Sequence, residues 1–595
     1  MRVAAALLLV AQVVLLIWSS IVHSPTPDEI PHIISGVSIW QTGDCTLFRV
    51  NPPLFRIIAS IPATMLKQDW PTLLADPSDY SRPEMGLGRE FIDSHGSEAI
   101  RILIACRWIC IPFATFGGIV CFLWATRLYG ETAGLAACAL WSFSPLVLGF
   151  GAIVTPDVAS AAFGGFALYR FTLWLEHSNP FQALWSGISI ALALLIKSTW
   201  IVGPPIMVVI WIGNCISKNR NKEISGPHRF GQVVVMITVA WLVFVAGYGG
   251  SGLFRALGDY EFVSSTLGGQ YSQTIGKGNR FRGGFFKHIP VPLPAAFVEG
   301  VDQQKRSMRN GAQPAYMLGT MRSNGGWYGY YALSLCVKCT LGAIALFIVV
   351  TIYRAAKIAR WPTISEGVVL FPAITIFVLL SCNTGLNKHS RYLLPIYPML
   401  IVWISQSVNL PMALFGLKFK FVSAILVLSS IASSLAVFPH SMSYFNELVG
   451  GPRNGRFFLI NSNIDWGQDL FFLRDKLQKL GWSRIGMVYW GTYDARIAGI
   501  DFFVPPVHPS LQNGELQRLQ PGKYAISISQ LQGYGHAAPD GAGGLTPSIH
   551  GGYTYFQEFQ SVDSVGYSML LFDLSTEDIE NSKTWGNQEL KLRTK

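Results

Sequence analysis

The stretch SPTPDEIPH sets Asp28, Glu29 and His32 directly behind an apolar run that ends at Val22. Two adjacent carboxylates there can do two kinds of work. Asp28 could cap a helix, since a carboxylate favours a helix N-terminus by about 0.3–1 kcal/mol. Alternatively, a carboxylate here could take a proton from an attacking group. Asp28 and His32 are four residues apart, so a helix starting there sets both on one face. Other ionisable groups lie in or at the ends of apolar runs: Arg107 in IACRWIC, Asp157 in AIVTPDVAS, Lys197 in LLIKSTW and Arg391 in NKHSRYLLPIYP. Such groups are expensive in an apolar run and are functional candidates. Each of three has a plainer reading: Asp157 as a cap, Arg107 as a snorkelling side chain, Arg391 as an interfacial anchor.

The elements that must position these residues are membrane helices. Half of the 595 residues are hydrophobic and only 13% are charged, against about 25% charged in soluble domains. Apolar runs that span or nearly span a bilayer occur at 3–22, 102–126, 132–150, 152–175, 183–197, 199–215, 231–250, 330–353, 366–382, 391–408 and 420–438. The fold class expected is a polytopic α-helical membrane protein of about 11 spans. The first run is read as a retained helix, because IWSSIVHS is a poor signal-peptide cleavage site. The net charge of +11 falls largely in short loops between runs, which suits topology rather than nucleic acid.

Three basic stretches, 217–229, 353–360 and 417–420, fit one threading with all three in the cytoplasm. The C-terminus is then outside, and the outer face gathers the loop 23–99, Asp157, Lys197, the loop 251–328 and Arg391. In the first loop, NPPLFRIIASIPATML reads as an interfacial helix with Asn51 as N-cap and Pro52 at its first position. Residues 1–439 form the membrane part. Residues 440–595 read as an extracytoplasmic α/β domain, with GRFFLINSN as a strand, a helix ending at Gly481, and strands at RIGMVYWG, KYAISIS and GYSMLLFDLS. Cys336 and Cys339 form a CxxC inside a predicted helix with no second pair nearby, a weak metal or redox signal. No cysteine follows Ala436, so the outer domain must hold itself without disulfides.

Carboxylates and cations gathered at one membrane face suit a lipid-phosphate-linked sugar. Displacing its phosphate needs positive charge on the phosphate oxygens, from Arg, Lys or a divalent cation, and a base for the attacking hydroxyl. A single displacement inverts the anomeric centre.

The ordered set DE-x-x-H (Asp28, Glu29, His32), NPPL (Asn51–Leu54), TPD ending at Asp157, LALLIKST around Lys197 and RYLLPIYP from Arg391 resembles the protein O-mannosyltransferases and lipid A aminoarabinose transferases. These are polyprenyl-phosphate-sugar-dependent glycosyltransferases of the C-type membrane fold. The resemblance covers about residues 1–440. It implies Asp28 as catalytic base with Glu29 in support, and a second outer carboxylate, Asp157, near the donor phosphate or a divalent metal, with His32 as a further metal candidate. Arg107, Lys197 and Arg391 are the expected donor-phosphate ligands. Asn51 stands where some relatives carry Lys or His, and the loop 251–328 is too short for the β-trefoil of the eukaryotic enzymes. In SNIDWGQDL, Asp465, Gln468 and Asp469 could bind the acceptor or stabilise a turn. The function implied is sugar transfer to a protein, lipid or glycan acceptor, with the protein in a bacterial cytoplasmic membrane. The rival is a transporter or lipid flippase, which would favour ionisable groups at the midplane and repeated broken helices.

Overall fold

The computed structural model describes the chain except residues 66–69, 71–81, 221–227, 270–276, 310–313, 324, 357–362, 412, 415–416, 492, 513–515 and 587–595. Two of the basic stretches that set the threading, 217–229 and 353–360, lie partly outside the described residues.

The protein is a multi-pass helical membrane protein with a C-terminal part built on a mixed sheet. Each of the eleven apolar runs contains helix. Among the described residues, seven helices are long and apolar enough to cross a membrane alone: Arg2–Val22, Ser97–Tyr129, Pro156–Glu176, Ser198–Ile216, Phe230–Gly247, Ile364–Cys382 and Phe419–Val437. A bent pair makes an eighth.

The remaining runs are shorter or broken, each for a local reason. The run 132–150 splits into Glu131–Ser142 and Pro145–Phe150, because Pro145 lacks the N–H that would continue the first helix. Arg391 does not begin a regular helix. It lies in a 3-10 turn, Ser390–Ile396, before the helix Tyr397–Ser405, and Pro395 and Pro398 withdraw two donors from this junction. The expected single helix 330–353 is Tyr330–Lys338 and Leu341–Ala356, bent by 116°. Lys338 sits at the bend, 2% exposed. Its Nζ donates to the carbonyls of Met442 (2.9 Å) and Asn463 (2.6 Å), and the ammonium lies 4.4 Å from the Phe445 ring centroid. A buried ammonium needs such partners, and reaching them turns the chain. Of the CxxC, Cys336 is exposed and Cys339 contacts the Tyr397 hydroxyl; the motif straddles the bend and gathers no third ligand among the described residues.

The loop after the first span carries the helix Glu29–Thr42 and a broken helix, Pro53–Ala59 and Ile61–Met65. Asn51 is not its N-cap. Pro52 takes that place and Pro53 the first turn. Arg56 on this helix is fully buried and donates to the carbonyls of Leu47 and Pro52. It therefore faces protein rather than headgroups. The loop 251–328 is latched to the loop 23–99 by Arg49–Glu299 at 2.9 Å.

In the C-terminal part five strands run in the order Asp501–Phe503, Arg484–Val488, Gly522–Ser527, Met569–Leu574, Asp563–Val565. Arg484–Val488 is parallel to both of its neighbours, and the other pairings are antiparallel. The helix Leu470–Leu480 ends at Gly481 with φ 66°, as its sequence predicts. GRFFLINSN is not a strand; it is a pair of 3-10 turns, Pro452–Phe457 and Asn461–Asn463. Leu459 and Ile460 are buried in the main hydrophobic core beside residues of the membrane helices, so these apolar residues plug a core without needing sheet partners.

Candidate active site

Four charged side chains from four separated segments meet. Asp28 stands at the turn between the first span and the helix Glu29–Thr42. Asp157 lies in the first turn of Pro156–Glu176. Lys197 is the extended residue between the helix Pro180–Ile196 and the turn Ser198–Val202. Arg391 comes from the 3-10 turn. Its Nη2 donates to Asp28 Oδ2 at 2.8 Å and its Nη1 reaches Asp157 Oδ2 at 3.5 Å. Lys197 Nζ donates to Asp157 Oδ1. Two anions and two cations thus balance.

The two carboxylates differ in what they leave open. Asp157 is 2% exposed and both its oxygens are taken by cations. Asp28 occupies the N-cap position but its side chain makes no cap bond. It turns to Arg391 instead, its side chain is 26% exposed, and among the described residues its Oδ1 has no hydrogen-bond partner. Arg391 also keeps its Nε without a partner.

Glu29 and Arg107 form a second, closed network. Arg107 Nε and Nη2 donate to the Glu29 carboxylate at 2.8 and 2.6 Å. Its remaining N–H groups go to the carbonyls of Ser20, His23 and Ser24. All five donors of the guanidinium are spent, so none is left for a phosphate. Glu29 also accepts from Thr26 N, Thr26 Oγ1 and Val154 N, so its carboxylate is closed to substrate as well. Arg107, expected as a phosphate ligand, has no donor left for one, and Glu29, expected in support of Asp28, is spent on Arg107: the pair staples the first span, the Asp28 turn and the approach to Asp157.

His32 and Asp157 do not assemble a metal site. The His32 ring packs 4.7 Å from Phe48 and 5.7 Å from Phe55. Burial first, then the Arg56 charge, holds its imidazole well below the usual range. With Lys197 and Arg391 on both Asp157 oxygens, a divalent cation there would meet two positive charges, so these residues do not fit a metal.

Asp465 and Gln468 are not placed to meet an acceptor. They are 0% and 2% exposed. Asp465 accepts from Ser527 Oγ and Ser529 N, and burial pushes its carboxyl up to about 7. Gln468 donates to Ile464 O and Asp469 Oδ2, and accepts from Trp466 N. The SNIDWGQDL segment is a joint instead. Asn463 accepts from Ser390 N and Oγ, Gly467 O accepts from Ser24 Oγ, and Gln468 O accepts from Ser24 N. Gly467 adopts φ +77°, and a Cβ there would lie 2.5 Å from the Trp490 carbonyl oxygen.

This joint supplies a site residue that sequence reasoning missed. Trp466 lies under the Arg391 guanidinium, 4.0 Å from ring centroid to Cζ. An aromatic face at this distance attracts the cation and fixes its plane. The only sequence signal was the DWG turn, which names no partner.

No curated protein sequence matches the chain. Among solved structures, ArnT from Cupriavidus metallidurans in the apo state is 13% identical, covers 95% of this chain and 97% of its own, and gives a TM-score of 0.43. The same protein bound to undecaprenyl phosphate gives 11%, 96%, 98% and 0.40. The apo oligosaccharyltransferase of Archaeoglobus fulgidus gives 12%, 89%, 70% and 0.44. Likeness this distant assigns no activity. Residues 103–244, which carry Arg107, Asp157 and Lys197 but neither Asp28 nor Arg391, match the dolichyl-phosphate-mannose-protein mannosyltransferase family and are similar to it over that stretch.

Proposed function

We propose that the protein transfers a sugar from a polyprenyl-phosphate donor to an acceptor hydroxyl at the outer face of a bacterial cytoplasmic membrane, with inversion. The observation that carries this reading is the open flank of Asp28 beside Arg391 and Lys197. The family match over residues 103–244 supports it.

In this reading the donor phosphate approaches Lys197 and the guanidinium of Arg391, whose Nε is buried without a partner. Asp157 keeps the two cations in register before donor arrives. The acceptor oxygen attacks the anomeric carbon from the side opposite the phosphate. The bond from that carbon to the phosphate oxygen breaks, and its electron pair leaves with the polyprenyl phosphate. The hydroxyl proton passes to Asp28. Positive charge held where the phosphate gains charge lowers the barrier, and the Glu29–Arg107 staple keeps Asp28 aimed.

The acceptor side is assigned to the face of the C-terminal part that packs against the Asp28 turn. Tyr493, just after the strand Arg484–Val488, donates to the Pro27 carbonyl beside Asp28. The residues from Pro439 onward are then outside the cytoplasm.

The experiment is incubation of purified protein with a panel of polyprenyl-phosphate sugars and candidate acceptors, read by mass spectrometry. Release of polyprenyl phosphate with glycosylated acceptor is expected for one donor. A folded protein that consumes none of them, yet moves lipid across vesicles, would replace this reading with the flippase.

A further inference from the structure

We infer that His23, His440 and Asp469 form a binding site for a zinc-class divalent cation, separate from the Asp28 cluster and independent of the function proposed above. Their ligand atoms all lie within 4.8 Å of one another. Tetrahedral zinc at metal–ligand distances of about 2.0–2.1 Å sets ligand atoms about 3.3 Å apart, a contraction that binding itself would drive. Two imidazoles and one carboxylate are a donor set that zinc takes, with a fourth position for water.

The neighbours of His23 and Asp469 orient them as metal ligands are oriented. His23 Nδ1 lies 2.9 Å from the Ser19 carbonyl oxygen. A carbonyl only accepts, so Nδ1 carries the proton and Nε2 is left with a lone pair. The Asp469 carboxylate is held through Oδ2 by Ser568 Oγ (2.6 Å) and Gln468 Nε2 (3.1 Å). That leaves Oδ1 turned to His440 Nδ1 at 3.2 Å. The His440 ring is supported by Phe472 at 4.6 Å, and that ring also packs on His23. His440 is 19% exposed on its side chain while Asp469 is fully buried, so a cation would enter past His440. Of the three ligands, His23 also lines a cavity with Ser19, Arg107, Pro439, Met442 and Gln468.

The position says what the ion would do. His23 ends the first span, His440 follows the last span, Phe419–Val437, and Asp469 opens the helix Leu470–Leu480. One ion would therefore tie the two terminal spans to the joint that carries Trp466. Its role is to fix the C-terminal part over the charged cluster. It touches none of the four charged residues there.

The test is elemental analysis of full-length protein purified in detergent, with thermal unfolding before and after chelator. About one equivalent of zinc is expected, with a fall in Tm on chelation that added zinc reverses. His440→Gln should hold no zinc and show no chelator shift. Should that variant fail to fold, cobalt substitution of the unaltered protein decides: a visible d–d spectrum of four-coordinate type is expected. Metal-free protein whose Tm ignores both chelator and added zinc, and which takes up no cobalt, would make the group an ordinary His–Asp hydrogen bond and overturn the inference.

Discussion

Replacing Glu29 by Gln should damage the fold before it damages the chemistry. The Glu29 side chain is fully buried and its carboxylate accepts five hydrogen bonds, two of them from Arg107. Gln keeps the shape but removes the charge, and its amide turns two N–H groups toward existing donors. The Arg107 guanidinium, 2% exposed, would then lie buried without a counter-charge. Breaking such a pair costs about 3–5 kcal/mol. In a chain of this size that is a fall in Tm on the order of 2–4 °C. Arg107→Met should cost a similar amount from the other side. The double variant Glu29→Gln/Arg107→Met should lose well under the sum, because the second change removes the stranded charge. The assay is thermal unfolding of the four proteins in one detergent at matched scan rate, since membrane proteins commonly unfold irreversibly. If Arg107→Met melts like the unaltered protein yet no longer binds donor, the staple is refuted and Arg107 is a phosphate ligand after all.

Other consequences follow from the same contacts. Lys197→Ala should lower kcat/KM for donor by about a hundredfold, read by steady-state transfer; an unchanged value would remove Lys197 from the phosphate site. Trp466→Leu should slow transfer about 5–30-fold, the worth of one desolvated cation–π contact, and Trp466→Phe should recover most of it; equal rates at matched Tm would leave Trp466 as packing alone. Burial raises the Asp465 carboxyl from 3.8 to about 7 in the folded protein. The folded state thus keeps a proton that the unfolded chain has already lost between pH about 4 and 7, and stability falls as pH rises through that window. Asp465→Asn holds the protonated shape, so its Tm should exceed that of the unaltered protein at pH 8 and lose the advantage near pH 4, a difference worth about 4 kcal/mol at most. Parallel pH profiles would contradict this.

What could be read from the sequence is what hydrophobicity dictates over short range. A run of 20 apolar residues must satisfy its own backbone in lipid, so every such run became helix. Lys197 and Arg391, which meet Asp157 and Asp28 in the fold, stood out because they interrupt or border such runs. What was hidden is pairing. Whether Asp28 caps its helix or faces a cation depends on Arg391, 363 residues away. Arg107 looked like a free cation because its partner Glu29 is 78 residues distant, and no local pattern says that the pair closes on itself. SNIDWGQDL stood out as polar, and polar residues in an outer domain suggest a ligand. Here they are buried and spent on Ser24, Ser390 and the sheet, which only the tertiary structure supplies. The bend at Lys338 escaped for the same reason, since the carbonyls that hold it come from Met442 and Asn463.

The measurement that bears most directly on the central claim is transfer by Asp28→Asn. Asp28 makes no cap bond to lose, Asn can still accept from Arg391, and Asp157 stays beside that guanidinium as its counter-charge, so the fold should survive. It cannot take up the hydroxyl proton. At Tm matched to the unaltered protein and with donor still bound, transfer should fall by about a hundredfold or more. Near-normal transfer by a stable Asp28→Asn protein would contradict the assignment and leave Asp28 as a structural partner of Arg391.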